Sequence, residues 1–172
     1  MTETMLTPSR LWKRMSSDQR QRAALAFWAD PEATDDQVQA AFLIAQQKKF
    51  RPKTVIGLDL DRKAKHLATL PGVTDQIAAR ALVTYHLAEQ RPMMGAFLDA
   101  LGIAHENGLI QEENVKPDTA KMKAAVEKIS AQFPAEDVQI YINTLLCQDP
   151  ETWGGLEEIV KSFEESGLGA RD

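Results

Sequence analysis

The sequence is poor in cysteine and holds no long apolar run, and both shortages limit the classes of protein it can encode. The single cysteine, Cys147, excludes an intrachain disulfide and a cysteine-based zinc cluster. Its apolar neighbours in VQIYINTLLCQ favour a buried, inert thiol over a nucleophile. No stretch approaches the roughly 18 consecutive apolar residues of a transmembrane helix. The start, MTETMLTPSRLWKRM, lacks the apolar core of a signal peptide, so we expect a cytoplasmic protein with no membrane partner.

Strand patterns are missing as well. The β-branched residues are scattered, and no alternating apolar and polar run reaches strand length. Hydrophobic residues make up 44% of the chain, which is typical of a globular domain. We therefore expect an all-α fold, a compact bundle of about eight or nine helices in a single domain over residues 1–172.

Helix starts are marked by capping residues. Ser16 with Gln19 and Thr34 with Gln37 both fit the capping-box pattern, in which two side chains satisfy free backbone N–H groups. Apolar residues of the helix after Thr34 recur at helical spacing and predict its buried face: Val38, Ala41, Phe42 and Ala45.

The second half of the chain divides at a loop. Residues 103–117 predict this loop, with a tight turn at Asn107-Gly108 and a minimal hairpin around it. Residues 118–166 then predict the C-terminal helices, and the helix over 135–147 is apolar on most sides. The last helix, begun by Asp149-Pro150, carries an apolar stripe: Trp153, Leu156, Val160 and Phe163.

An internal repeat links residues 31–59 to residues 71–99 at an offset of 40, with 8 identities in 29 positions and no gap. The first copy contributes these matched residues: Pro31, Thr34, Asp35, Ala41, Arg51, Pro52, Leu58 and Asp59. Such a period is typical of two-helix units, so we expect related units over 16–59 and 60–102. A short solenoid and a closed bundle both remain open, and the apolar 135–147 helix favours the bundle.

The stretch HLATLPGVTDQIAARAL, residues 66–82, resembles the helix-hairpin-helix motif of DNA-binding proteins. The resemblance implies a phosphate clamp, in which two glycines leave the backbone N–H groups of the turn open to a phosphate. Gly72 matches the first glycine, but Thr74 stands at the second, and the charge of Asp75 would repel a phosphate. The sister copy keeps the threonine and aspartate and not the glycine. We therefore favour a joint in which the turn ends one helix and caps the next.

No catalytic or cofactor motif stands out. Gly-x-Ser-x-Gly, P-loop and dinucleotide glycine patterns are missing, so we expect no cofactor. His86 and Glu89 stand three residues apart on one helix, and only convergence with His66 and His105 would give a metal site. We favour surface or hydrogen-bonded histidines over a metal site, so no catalytic or metal-ligating residue is assigned.

Charge is unevenly distributed along the chain. Residues 48–65 have a net charge of +5, while the rest of the chain has −10. Arg91 joins the candidate binding residues because Arg91-Pro92 repeats Arg51-Pro52, and two aligned arginines could bind a carboxylate or phosphate. We favour the simpler interpretation, in which each proline separates two helices and each arginine covers the last carbonyls. The basic candidates are Lys48, Lys49, Arg51, Lys53, Arg62, Lys63 and Lys65. A solvated helix face is the more ordinary explanation for this stretch.

We expect a non-catalytic helical interaction or adaptor protein, because helical repeats act mostly through their surfaces. A protein partner or a homo-oligomer fits this expectation, with Trp12 either packed in its own domain or docked on a second copy. The acidic remainder and a sequence pI near 5.3 disfavour nucleic acid. Two alternatives remain: a nucleic-acid-binding protein using residues 48–65 and the 72–75 turn, and a metal-dependent enzyme.

Overall fold

A computed structural model describes residues 7–111 and 115–165 of the chain, the side chains of 163–165 apart. The prediction of an all-α fold is confirmed, because this part contains nine α-helices of seven or more residues and only two short strands. Residues 7–88 form one compact unit, and the described residues from Glu89 onward form a second. None of the described helices has the length and apolarity needed to cross a bilayer.

The first unit contains six helices, α1 to α6, and one short 3₁₀ turn at Pro31–Ala33. The helices are α1 (Pro8–Arg14), α2 (Ser17–Ala29), α3 (Thr34–Lys48), α4 (Pro52–Ile56), α5 (Leu60–Ala68) and α6 (Asp75–Glu89). The α2 helix packs on α5, and α4 packs on α3. The predicted capping box of Ser16 and Gln19 is present at the start of α2. Trp12 is buried within its own chain, so it anchors no second copy.

The predicted buried face of α3 is partly wrong. Ala41 and Ala45 are buried, but Val38 and Phe42 are exposed, and Ala40 and Ile44 fill the core instead. Residues 38 and 40 lie about 200° apart around the helix, so the buried stripe is turned away from the larger apolar residues.

The second predicted capping box, Thr34 with Gln37, is also wrong. No side chain caps α3, and the Thr34 hydroxyl donates to the carbonyl of Pro31 at 3.0 Å. The amide of Gln37 instead donates to the carbonyls of Phe27 and Asp30, at 2.9 and 2.7 Å. Gln37 therefore satisfies the end of α2 rather than the start of its own helix.

The second unit begins with α7 (Arg91–Leu101), which ends at Gly102 in the left-handed conformation. A hairpin follows, in which β1 (His105–Glu106) pairs with β2 (Leu109–Ile110). Asn107 and Gly108 both have positive φ, 53° and 90°, as a two-residue hairpin turn requires. The remaining helices are α8 (Thr119–Gln132), α9 (Ala135–Gln148), α10 (Pro150–Trp153) and α11 (Glu157–Glu165).

The core of the second unit centres on Phe97, whose ring lies 5.5 Å from that of Tyr141 and 5.9 Å from that of Trp153. The predicted last helix is broken by a 3₁₀ turn at Gly154–Leu156. A Cβ at Gly155 would stand 2.9 Å from Met122 Sδ, so close packing on α8 requires glycine there.

The apolar stripe predicted for the last helix is only partly buried. Trp153 and Leu156 are buried, but Val160 is only half-buried, and the side chain of Phe163 lies outside the described residues. Cys147 is half-buried rather than buried, so the expectation of a fully buried thiol is not met.

Candidate interaction site

The turn that resembles a DNA-binding motif is built as a joint between helices. The Thr74 hydroxyl accepts the backbone N–H of Ile77 at 3.2 Å, which caps α6. The Asp75 carboxylate accepts the N–H of Ser9 at 3.0 Å, and its hydrogen bonds to Ser9 hold its pKa below the usual range. Gly72 has no positive φ, and nothing lies within 4 Å of a Cβ placed there. The glycine is therefore not needed for the fold, and the acidic group at this turn binds α1.

The three histidines have separate surroundings. His86 is buried, and its Nδ1 donates to the Leu82 carbonyl at 2.7 Å within α6. His66 on α5 is half-buried beside the ring of Phe50, with the ring centroids 5.8 Å apart. Among residues 7–111 and 115–165, no three His, Cys, Asp or Glu side chains are grouped to hold a metal ion.

His105 forms a pair with Asp99 that superficially resembles a catalytic dyad. Its Nε2 donates to the Asp99 carboxylate at 2.7 Å, and its Nδ1 accepts the N–H of Gly108 at 3.1 Å. Gly95 leaves room for the ring, because a Cβ there would lie 3.3 Å from His105 Cε1. The Nε2 bond therefore fastens the hairpin to α7, and the Nδ1 bond closes the hairpin's own turn.

The basic candidate residues do not all play the same part. Arg91 lies in the second unit, where its guanidinium donates to the Asn107 carbonyl at 2.9 Å. Lys63 is half-buried with its ammonium 5.2 Å from the ring centre of Trp28, a cation–π contact. Arg62 lies 3.6 Å from the Asp59 carboxylate. The other five basic candidates are exposed: Lys48, Lys49, Arg51, Lys53 and Lys65.

Exposed apolar side chains are concentrated in the same stretch of chain. In the part of the chain that the structure describes, six large apolar side chains are more than a third exposed. Five of the six come from residues 38–60: Val38, Phe42, Phe50, Ile56 and Leu60. We call residues 38–66 the basic–apolar segment, because they also hold every basic candidate except Arg91.

Part of this segment is shown to be clustered in space. Phe50, which follows α3, contacts His66 on α5 edge to face. Partial burial and then the charges of Lys48 and Lys65 lower the pKa of His66, so both ammonium groups act on the same imidazole. An exposed phenyl ring thus lies among cationic side chains from two helices.

A buried carboxylate fixes the orientation of α3 that exposes its apolar residues. Asp36 is buried, and it accepts Arg80 Nε at 2.9 Å and Gln76 Nε2 at 2.7 Å, both from α6. Asp36 lies on the same side of α3 as Ala40 and Ile44, at intervals of four residues. Val38 and Phe42 therefore lie on the opposite side of the helix, where Phe42 is 56% exposed.

No protein-family model, curated protein or solved structure matches the chain. The candidate site is therefore indicated by the geometry of the described residues alone. The basic–apolar segment holds five of the six exposed large apolar side chains of the described residues, and exposed apolar surface of this kind is typical of interaction sites.

The apolar members of the segment were not identified from the sequence. Phe50 lies beyond the left-handed residue that ends α3, and Ile56 precedes Gly57 at the end of α4. Neither residue continues the apolar stripe of a helix, and that break in periodicity was the one sequence feature that could have indicated their exposure. The periodicity of Val38 and Phe42 pointed to the core.

Proposed function

We propose that the protein is a non-catalytic interaction protein and that its partner binds the basic–apolar segment. The observation that carries this proposal is the concentration of exposed large apolar side chains in residues 38–60. Each of these side chains keeps unfavourable contact with water until another surface covers it. Interfaces are enriched in aromatic anchors, and complementary charges around such anchors set the orientation of the partner.

The apolar side chains have enough surface to matter for binding. Phe42 is 56% exposed and Ile56 is 50% exposed, so each has roughly half of its burial free energy still to be gained. Complete burial of such a side chain is worth about 1.5–3 kcal/mol, which leaves about 1 kcal/mol for each anchor. Several anchors together give a weak, reversible contact that the lysines then strengthen and orient.

Nucleic-acid binding is the second candidate, and the six exposed basic side chains of the segment, Arg62 included, favour it. A site for the phosphate backbone would lose affinity steeply with salt, by a slope close to the number of phosphates contacted. Binding to a phosphate backbone would leave the aliphatic side chains Val38, Ile56 and Leu60 uncovered. A protein partner therefore accounts for more of the segment. Titration with single-stranded and duplex DNA at two salt concentrations tests this candidate.

Site-specific photo-crosslinking tests the protein-partner proposal. A photoreactive phenylalanine is placed at position 42 or 56, and as a control at position 124, which is exposed on α8 of the second unit. We expect one discrete protein adduct from positions 42 and 56 in the source cells, and none from position 124. The captured protein, once purified, should rebind the wild type and lose affinity for a Phe42→Glu variant.

Two outcomes would contradict the proposal. One is an equal yield of adduct from positions 42 and 124, which would show that Phe42 has no special contact. The other is the recovery of nucleic acid instead of protein at position 42, which would favour the second candidate.

A further inference from the structure

We infer, resting on the proposed function, that the occupant of the basic–apolar segment is an acidic, amphipathic helical segment of another protein. Residues 7–88 hold 13 Lys and Arg against 8 Asp and Glu, a net charge of +5. The remaining residues hold 7 and 17, a net charge of −10. The exposed lysines and arginines of the segment therefore present a local positive potential that an acidic chain complements.

A second copy of this chain does not meet the same requirements. Pairing the segment with itself would place two units of charge +5 against each other. Pairing it with the acidic half would satisfy charge, but the described residues of that half expose one large apolar side chain, Leu109. Little apolar surface is then offered to cover Phe42 and Phe50. A foreign partner that supplies both acidic and apolar groups is favoured.

The secondary structure of the first unit favours a helical occupant. Its described residues, 7–88, form helices and contain no strand, so an extended peptide finds no sheet edge to join. A helix instead presents apolar anchors at intervals of three and four residues on one side. Acidic residues beside these anchors would meet Lys48, Lys49 and Lys53.

An anionic bilayer is a poorer fit than an acidic helix. Leu60 is flanked by Asp59 and Asp61, and both carboxylates are exposed. Insertion of Leu60 among lipid headgroups would bring these two negative charges against negative phosphates. A folded partner can place its own acidic groups against the lysines and leave Asp59 and Asp61 in water.

Peptide titration tests the inference on the full chain. The probe is a labelled peptide of about 18 residues, long enough to form a helix, built from Glu, Ala and Leu with leucines at i, i+3, i+4 and i+7. One control has the same composition in an order that gives no apolar face, and the other has Lys in place of Glu. We expect saturable binding of the acidic amphipathic peptide, at least about 10-fold tighter than either control.

Charge-reversed variants locate the binding. Lys48→Glu with Lys53→Glu should weaken the peptide about 10-fold or more, because two attractive contacts become repulsive. The matched control is Lys121→Glu with Lys123→Glu, which makes the same charge change on exposed residues of α8 and should leave affinity within about 2-fold. Phe42→Ala should weaken binding with little change in its salt dependence. Circular dichroism confirms that all variants fold.

Four results would overturn the inference. Equal binding of the peptide without an apolar face would show that charge alone acts. Tighter binding of anionic vesicles or single-stranded DNA than of the acidic peptide would assign the segment to those ligands. If the peptide fails to bind while a crosslinked partner rebinds, the inferred chemistry is wrong and the proposed function stands. If neither binds, both are wrong.

Discussion

The orientation of α3 can be tested by truncating two apolar residues that lie two positions apart. Ile44 is fully buried, so Ile44→Ala removes its transfer free energy and leaves a cavity, which costs about 2–5 kcal/mol. Phe42 is 56% exposed, so Phe42→Ala loses less than half of a phenyl burial, about 1 kcal/mol. The higher helix propensity of alanine offsets about 0.5 kcal/mol of this loss. We expect Ile44→Ala to destabilise the protein by about 2 kcal/mol more than Phe42→Ala.

The assay is urea unfolding followed by circular dichroism, with each transition fitted separately if the two compact units unfold apart. Burial of Val38 and Phe42, as their periodicity alone suggests, predicts the opposite order, because phenylalanine is the larger side chain. A Phe42→Ala cost equal to or above that of Ile44→Ala would therefore refute the orientation of α3 on which the binding site depends.

Three further predictions concern the joints of the fold. Gly72→Ala should change the free energy of unfolding by no more than about 0.5 kcal/mol, whereas Gly108→Ala should cost at least about 1 kcal/mol because the φ of Gly108 is +90°. Thermal unfolding compares the two variants, and equal effects would contradict the prediction. Asp36→Ala should cost about 1–3 kcal/mol by removing two bonds to α6, and a neutral result in urea would contradict it. Asp75→Asn should lower the melting temperature at pH 7 by weakening the contact with Ser9, and the difference should vanish as pH falls from 3.8 through the lowered pKa.

Local features of the fold could be predicted from the sequence because they depend on a few neighbouring residues. The capping box of Ser16 and Gln19 and the Asn107-Gly108 turn are both present. Each is decided by backbone conformation and one or two hydrogen bonds within four residues. The all-α class follows from many such signals together.

Features that depend on distant residues could not be predicted. Gln37 satisfies carbonyls of α2, and Asp36 binds Arg80 on a helix 44 residues away. A buried acidic residue is exceptional, and the spacing of the apolar residues assigned Phe42 to the core. That error concealed the exposure of Val38 and Phe42, whereas the basic candidates were named from the sequence.

The internal repeat stays a prediction, and its two copies are used differently. The α3 and α6 helices are both 15 residues long and start 41 residues apart, close to the repeat offset. An Arg-Pro pair lies at the start of the next helix in each case. Asp59 caps α5, however, whereas its counterpart Asp99 binds His105 from within α7.

The proposed binding site requires the apolar side chains of residues 38–60 to be open to solvent in the free protein. Hydroxyl-radical footprinting with mass spectrometry measures this, with the fully buried Phe27 and Phe97 as internal references. We predict that Phe42 and Phe50 are oxidised much faster than either reference. Protection of Phe42 to the level of Phe27 would show that the segment is already covered, and it would contradict the proposed binding site.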